Sequence, residues 1–129
     1  MHKVVKKKLA YDLRGTMSAR QFARRTGLSL RQIQYWDERG YFQPLAKLRS
    51  HRWGRRYSET QVREAKILFM LRAKGIPISR AARLASLAAA DKLSWIIVTQ
   101  DEWYPGHTVE DVAERLERLK VPAVVVRVG

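Results

Sequence analysis

Three observations on this 129-residue chain predict an α+β fold. Two short segments with helix-spaced apolar residues meet at Thr26-Gly27. A basic, irregular stretch with Pro44 early and Gly54 late follows over residues 41–56. Beyond Leu93 the apolar period changes to strand-like runs. Together they predict a winged helix-turn-helix with four helices, followed by a small C-terminal βαβ unit. The expected division is a basic N-terminal arm (1–16), a winged helix-turn-helix domain (17–90) and a βαβ segment (91–129).

The arm carries Lys6, Lys7 and Lys8. It reads either as a solvated tail or as additional phosphate contact. Ser18 is a good N-cap for the first helix, with Phe22 and Ala23 at helical spacing from Ala19. Gly27 can take the left-handed conformation that ends it. Ser29 caps the second helix, in which Leu30, Ile33 and Trp36 lie along one side. Arg31, Gln32, Gln34 and Tyr35 cover the rest, and Gly40 closes the helix. Trp36 is expected in the core. Residues 41–56 read as a wing, two short extended segments joined by a loop.

Ser58 opens a third helix, where Glu59 in the first turn complements the helix dipole. Its apolar stripe is expected at Val62, Ala65, Leu68, Phe69 and Ala73, with Arg63 and Lys66 facing out. Gly75 ends it, and Pro77 and Ser79 introduce a fourth, Ala-rich helix running to about Ala89. LSWIIVT (93–99) reads as a strand and QDEWYPGH as a loop. Thr108 and Asp111 form a capping-box-like start for a further helix. Its inward face is expected at Val109, Val112, Ala113, Leu116 and Leu119. Pro122 precedes a last strand, AVVVRV, and a right-handed crossover predicts that the two strands run parallel. The unbroken valines suggest a strand buried on both faces. Such a unit is marginal alone, so pairing with a second copy through residues 91–129 is expected, giving a homodimer.

Charge is unevenly spread. The net charge is +14; residues 1–60 hold 15 basic and 4 acidic side chains, and residues 91–129 hold 5 and 7. A cationic front suits a polyanion. There is no cysteine, which excludes disulfides, thiolate metal sites and Cys nucleophiles. His2, His51 and His107 show no ligand spacing, and no cofactor or metal is expected. No apolar run reaches membrane-spanning length, so no membrane partner and a cytoplasmic, nucleoid-associated location are expected. Asp101, Glu102 and His107 share one segment without an acid–base constellation, and no enzyme activity is expected. Trp95, Trp103 and Tyr104 read either as filling a seam or as lining a small pocket.

The residue types of the second helix suit double-stranded DNA. Arg31, Gln32 and Gln34 carry donors for base edges in the major groove, and Tyr35 can bond a phosphate or simply meet solvent. Arg49, His51, Arg52, Arg55 and Arg56 of the wing are candidate backbone contacts, as is Ser29 at the helix start. Trp53 can press on a sugar or fold back on the wing.

These residues carry a resemblance. Residues 17–87 resemble the DNA-binding region of MerR-type transcriptional regulators. The similarity rests on Ser18, Phe22-Ala23, Thr26-Gly27 and Ser29, then on Ile33, Tyr35-Trp36-Asp37 and Arg39-Gly40-Tyr41-Phe42-x-Pro44. It continues through Arg55-Arg56-Tyr57-Ser58 and Leu71-Arg72-Ala73-Lys74-Gly75-Ile76-Pro77-Ile78. The resemblance implies a sequence-specific transcriptional regulator whose second helix and wing both touch DNA. Carried over by position, it points to Arg31, Gln34, Tyr35, Arg55 and Tyr57 as contacts, and makes RNA polymerase a candidate partner. An excisionase-like or architectural recombination accessory protein is the alternative. The chain departs from the family pattern at Gln32-Ile33-Gln34, where Thr-Leu-Arg is usual. After Ala90 it lacks the family's long coiled-coil helix.

Overall fold

A computed structural model describes residues 13–47 and 54–129. Among these the elements are β1 (Met17–Ser18), α1 (Ala19–Thr26), α2 (Leu30–Glu38), β2 (Ala46–Lys47) and β3 (Arg55–Tyr57). Then follow α3 (Glu59–Ala73), α4 (Ile78–Ala90), β4 (Trp95–Val98), β5 (Trp103–Gly106), α5 (Val109–Arg118) and β6 (Val124–Arg127). The fold is α+β, with the four helices and paired wing strands of a winged helix-turn-helix. The chain divides into two compact units, Met1–Arg63 and Glu64–Gly129.

In the first unit the predicted caps form. The Gln21 backbone N–H donates to Ser18 Oγ at 3.2 Å, and the Ser18 N–H donates to Gln21 Oε1 at 2.9 Å, completing a capping box. Gly27 ends α1 at φ 78°, a backbone state that costs glycine little, and its N–H donates to the Ala23 carbonyl. The Gln32 N–H donates to Ser29 Oγ, capping α2. Ser58 and Gln61 repeat the capping box at the start of α3, and Gln61 Nε2 also donates to the Gln43 carbonyl at 2.7 Å.

Four aromatic rings from four segments hold this unit together. Phe22 of α1 stacks on Tyr57 of β3 with centroids 4.1 Å apart, and Phe42 lies 5.7 Å from Phe22 and 6.3 Å from Tyr57. Trp36 of α2 closes the cluster at 6.2 Å from Phe42. All four are buried, as expected for Trp36. Packed rings of this kind contribute beyond their buried area and fix the angle between the two helices and the strands.

β3 is the centre of a small antiparallel sheet, ordered β1-β3-β2. Lys47 stands opposite Arg55, and Ala46 and Ser18 flank Arg56 from either side. The wing is therefore real at its base, while its loop (48–53) lies outside the described residues.

In α3 the buried residues are Val62, Ala65, Ile67, Leu68 and Leu71. Phe69 is exposed and so is Ala73, so the expected stripe is displaced toward Ile67 and Leu71. Lys66 faces solvent as expected, whereas Arg63 is half-buried.

The second unit corrects the expected βαβ. β5 lies within the segment expected to be a loop, and the sheet order is β5-β4-β6 with both pairings antiparallel. The crossover through α5 joins β5 to β6, which run parallel with β4 between them. β4 and β6, expected to be parallel, are antiparallel neighbours. Pro105 and Gly106 conceal β5 in the sequence; at an edge, proline's missing donor is tolerated. The strand buried on both faces is β4, where Ile96 and Ile97 are inaccessible. β6 is an edge strand: Val124 is exposed and only Val126 of its residues is buried.

The helix face also moves. Val112 is the buried residue of α5, while Val109, Ala113 and Leu116 are exposed. Gly106 makes this approach possible, because a Cβ there would sit 3.0 Å from Val112 Cγ2 and 3.2 Å from Trp95 Cβ. One turn on, the Arg115 guanidinium lies 4.2 Å from the centroid of Tyr104. The Arg80 side chain of α4 donates to the carbonyls of Thr99, Gln100 and Glu102, holding the β4–β5 turn.

Candidate nucleic-acid interface

The site is built on α2. Its inner side is fixed by Ile33 and Trp36, both buried. Its outer side forms a shallow hollow of about 540 Å³ lined by Ser29, Arg31, Gln32, Gln34, Tyr35 and Glu38. The helix thus gathers five of the expected contact residues on one exposed surface. Arg31 and Gln34 are exposed and Gln32 is half-exposed. Ser29 Oγ already accepts the Gln32 N–H as a cap, which leaves its hydroxyl hydrogen for another acceptor. Tyr35 is 48% exposed, and the Arg39 guanidinium sits 5.2 Å from its ring centroid. Glu38 is the unforeseen member: an anion in an otherwise cationic and amide-bearing hollow.

At the wing base, Arg55 is half-exposed and its Nε–H donates to Asp37 Oδ2 at 2.6 Å. Lys47 Nζ forms an ion pair with the other oxygen, Oδ1, at 2.7 Å. The Asp37 side chain is 1% exposed. Burial alone would raise its pKa, but Lys47 and Arg55 together outweigh that and hold the carboxyl below its ordinary value. Arg55 is raised in turn, chiefly by its hydrogen bond to Asp37.

Arg56 is engaged differently. Its Nε donates to Thr16 Oγ1 at 3.2 Å and its Nη2 to the Thr16 carbonyl at 3.0 Å, tying the chain ahead of β1 to β3. Two of its five donors are thereby used within the fold. Tyr57, expected to touch the DNA backbone, is wholly buried beneath Phe22 and Phe42. Its hydroxyl is inaccessible and has no hydrogen-bond partner among the described residues, and burial pushes its pKa up to about 12. Its place is in the aromatic core. Arg49, His51 and Arg52 lie outside the described residues, as do Trp53 and residues 1–12 of the arm.

Asp37 is the residue that sequence reasoning passed over. It stands within the resemblance, but its partners are 10 and 18 positions away, on strands whose pairing no local pattern reveals. The rear acidic residues have local duties. The Tyr104 hydroxyl donates to the Glu102 carboxylate, and Asp111 Oδ2 accepts the backbone N–H groups of His107 and Thr108.

A search of curated proteins found no match to the chain. Residues 17–87, more than half of its length, match the MerR HTH family regulatory protein. That span holds α1 through most of α4 and the whole of the α2 hollow and the wing base. The chain therefore belongs to the MerR helix-turn-helix family of DNA-binding transcriptional regulators.

Proposed function

We propose that the chain reads DNA sequence with α2 in the major groove and holds the flanking backbone with its wing. The observation that carries this reading is the hollow on α2, where Arg31, Gln32 and Gln34 share one exposed surface above a buried apolar side. Arg is suited to guanine O6 and N7, and Gln to adenine N6 and N7. Ser29 and Tyr35 border the same surface and suit phosphate oxygens. Arg55, Lys47 and the remaining donor capacity of Arg56 supply charge at the wing base, to which Arg49, His51 and Arg52 of the loop would add.

The working form is a homodimer joined through residues 91–129. Among the described residues β6 has no neighbour on its outer edge, and Val109, Leu116, Val121 and Val124 are exposed apolar side chains in that segment. A two-fold pairing there would present two copies of α2 to repeated half-sites. Sedimentation equilibrium at micromolar concentration checks the dimer; a monomer contradicts it. A cytoplasmic, nucleoid-associated location goes with this reading, and among the described residues no helix is long and apolar enough to cross a membrane.

The test of base reading compares two substitutions on specific and random duplexes. Arg55→Ala should weaken both about equally, since a phosphate contact carries no sequence information. Gln32→Ala should mainly narrow the gap between them. Uniform loss in both variants would remove Gln32 from the reading surface.

A further inference from the structure

Asp37 is in an unusual position. It is a buried carboxylate on the helix proposed to read bases, yet both of its partners belong to the wing. Those partners, Lys47 and Arg55, face each other across the β2–β3 ladder, in the pair next to the loop 48–53. Two like charges directly opposed on a ladder repel. Something must offset that repulsion for a wing to carry both cations at its neck, and the Asp37 carboxylate does so with one oxygen for each. Its lowered pKa keeps it ionised at neutral pH.

The geometry also fixes how Arg55 is presented. Its Nε–H is committed to Asp37 at 2.6 Å, and no other hydrogen bond of its guanidinium occurs among the described residues. A planar guanidinium anchored at Nε has its two terminal nitrogens oriented by that anchor. Holding a side chain in its bound orientation beforehand lowers the ordering cost of binding.

We propose that Asp37 is a positioning residue for DNA binding: it clasps the neck of the wing to α2 and aims the free nitrogens of Arg55 at a phosphate. This rests on the reading that the wing meets the DNA backbone. It makes a prediction opposite in sign to simple electrostatics. Removing a negative charge from a DNA-facing region should tighten binding by Coulomb attraction alone. Loss of positioning should weaken it.

The experiment measures affinity for a random-sequence duplex across a salt series, using folded full-length protein. Arg55→Gln is expected to weaken binding about tenfold and to reduce the slope of log affinity against log salt by about 0.9, one phosphate contact's worth. Asp37→Asn is expected to do the same, and the double variant to be no weaker than Arg55→Gln alone. If Arg55→Gln changes nothing, the wing reading fails. If Arg55→Gln weakens binding while folded Asp37→Asn binds as wild type or tighter, the wing reading stands and the positioning role is overturned. Should Asp37→Asn not fold, the wild-type protein decides. The Arg55 Nε–H, followed by nitrogen-labelled NMR, is expected to stay protected from exchange both free and DNA-bound. Loss of that protection on binding would overturn the proposal.

Discussion

The ring of Tyr57 lies nearly parallel to that of Phe22, 4.1 Å away and inclined by 11°, so β3 and α1 are joined face to face in the core of the first unit. The hydroxyl of Tyr57 has no hydrogen-bond partner among the described residues. An unpaired buried hydroxyl carries a desolvation cost that the stack must offset. Tyr57→Phe should therefore leave stability within about 1 kcal/mol of wild type or raise it. It should leave DNA affinity unchanged, in contrast with the backbone contact expected from sequence. Tyr57→Ala should cost about 3–5 kcal/mol, as large aromatic truncations do. Denaturant unfolding and a binding titration on the same samples check both.

Gly106 is required by packing rather than by backbone conformation. A methyl group there meets Val112 Cγ2 at 3.0 Å and Trp95 Cβ at 3.2 Å, so α5 must move away from β5. Gly106→Ala should destabilise the chain by about 1–3 kcal/mol, the usual range for overpacking. Thermal unfolding reads this, and DNA affinity of the folded fraction should remain as in wild type.

Acid should loosen the chain through carboxylates held below their ordinary values. Asp37 is lowered because Lys47 and Arg55 outweigh its burial, and Asp111 is lowered first by the backbone N–H groups of His107 and Thr108. A depressed folded-state pKa gives stability that is complete above the unfolded value, 3.8 for Asp, and is lost as pH falls through the lowered one. Glu64 acts in the opposite direction, since burial raises it and favours folding at the acid end. The stability difference between wild type and Asp37→Asn should be full at neutral pH and should shrink as pH drops below about 4. A difference that stays constant from pH 7 to pH 3 would contradict the ionised clasp.

Glu38 puts a negative charge among the side chains proposed to meet DNA. Glu38→Gln should tighten binding to random duplex, most visibly at low salt. Any base preference that depends on a carboxylate accepting from cytosine N4 should fall at the same time. Anisotropy titrations at two salt concentrations distinguish these effects.

The front of the chain was legible because its signals are local. Ser18, Gly27, Ser29 and Gly40 mark helix ends within a few residues, and Phe22, Ile33 and Trp36 mark inward faces. The rear was legible in element type but not in pairing. Pro105 and Gly106 disguise β5, and without that strand the chain from β4 through α5 to β6 reads as a parallel crossover. The apolar stripe of α5 misled for a related reason. Its neighbour is β5, so Val112 and Arg115 face inward and Val109 and Leu116 do not. At the site, the exposed row on α2 followed from helical spacing. The burial of Tyr57 and the clasp at Asp37 did not, because both depend on strand pairing between distant segments.

The most direct test of base reading by α2 is a binding selection from a random duplex library, run in parallel with wild-type protein and an Arg31→Ala, Gln32→Ala, Gln34→Ala triple variant. Wild type should enrich a defined site, repeated with two-fold symmetry, and the triple variant should lose that preference while keeping salt-sensitive binding. Enrichment of the same site by both proteins, or of none by wild type, would contradict it.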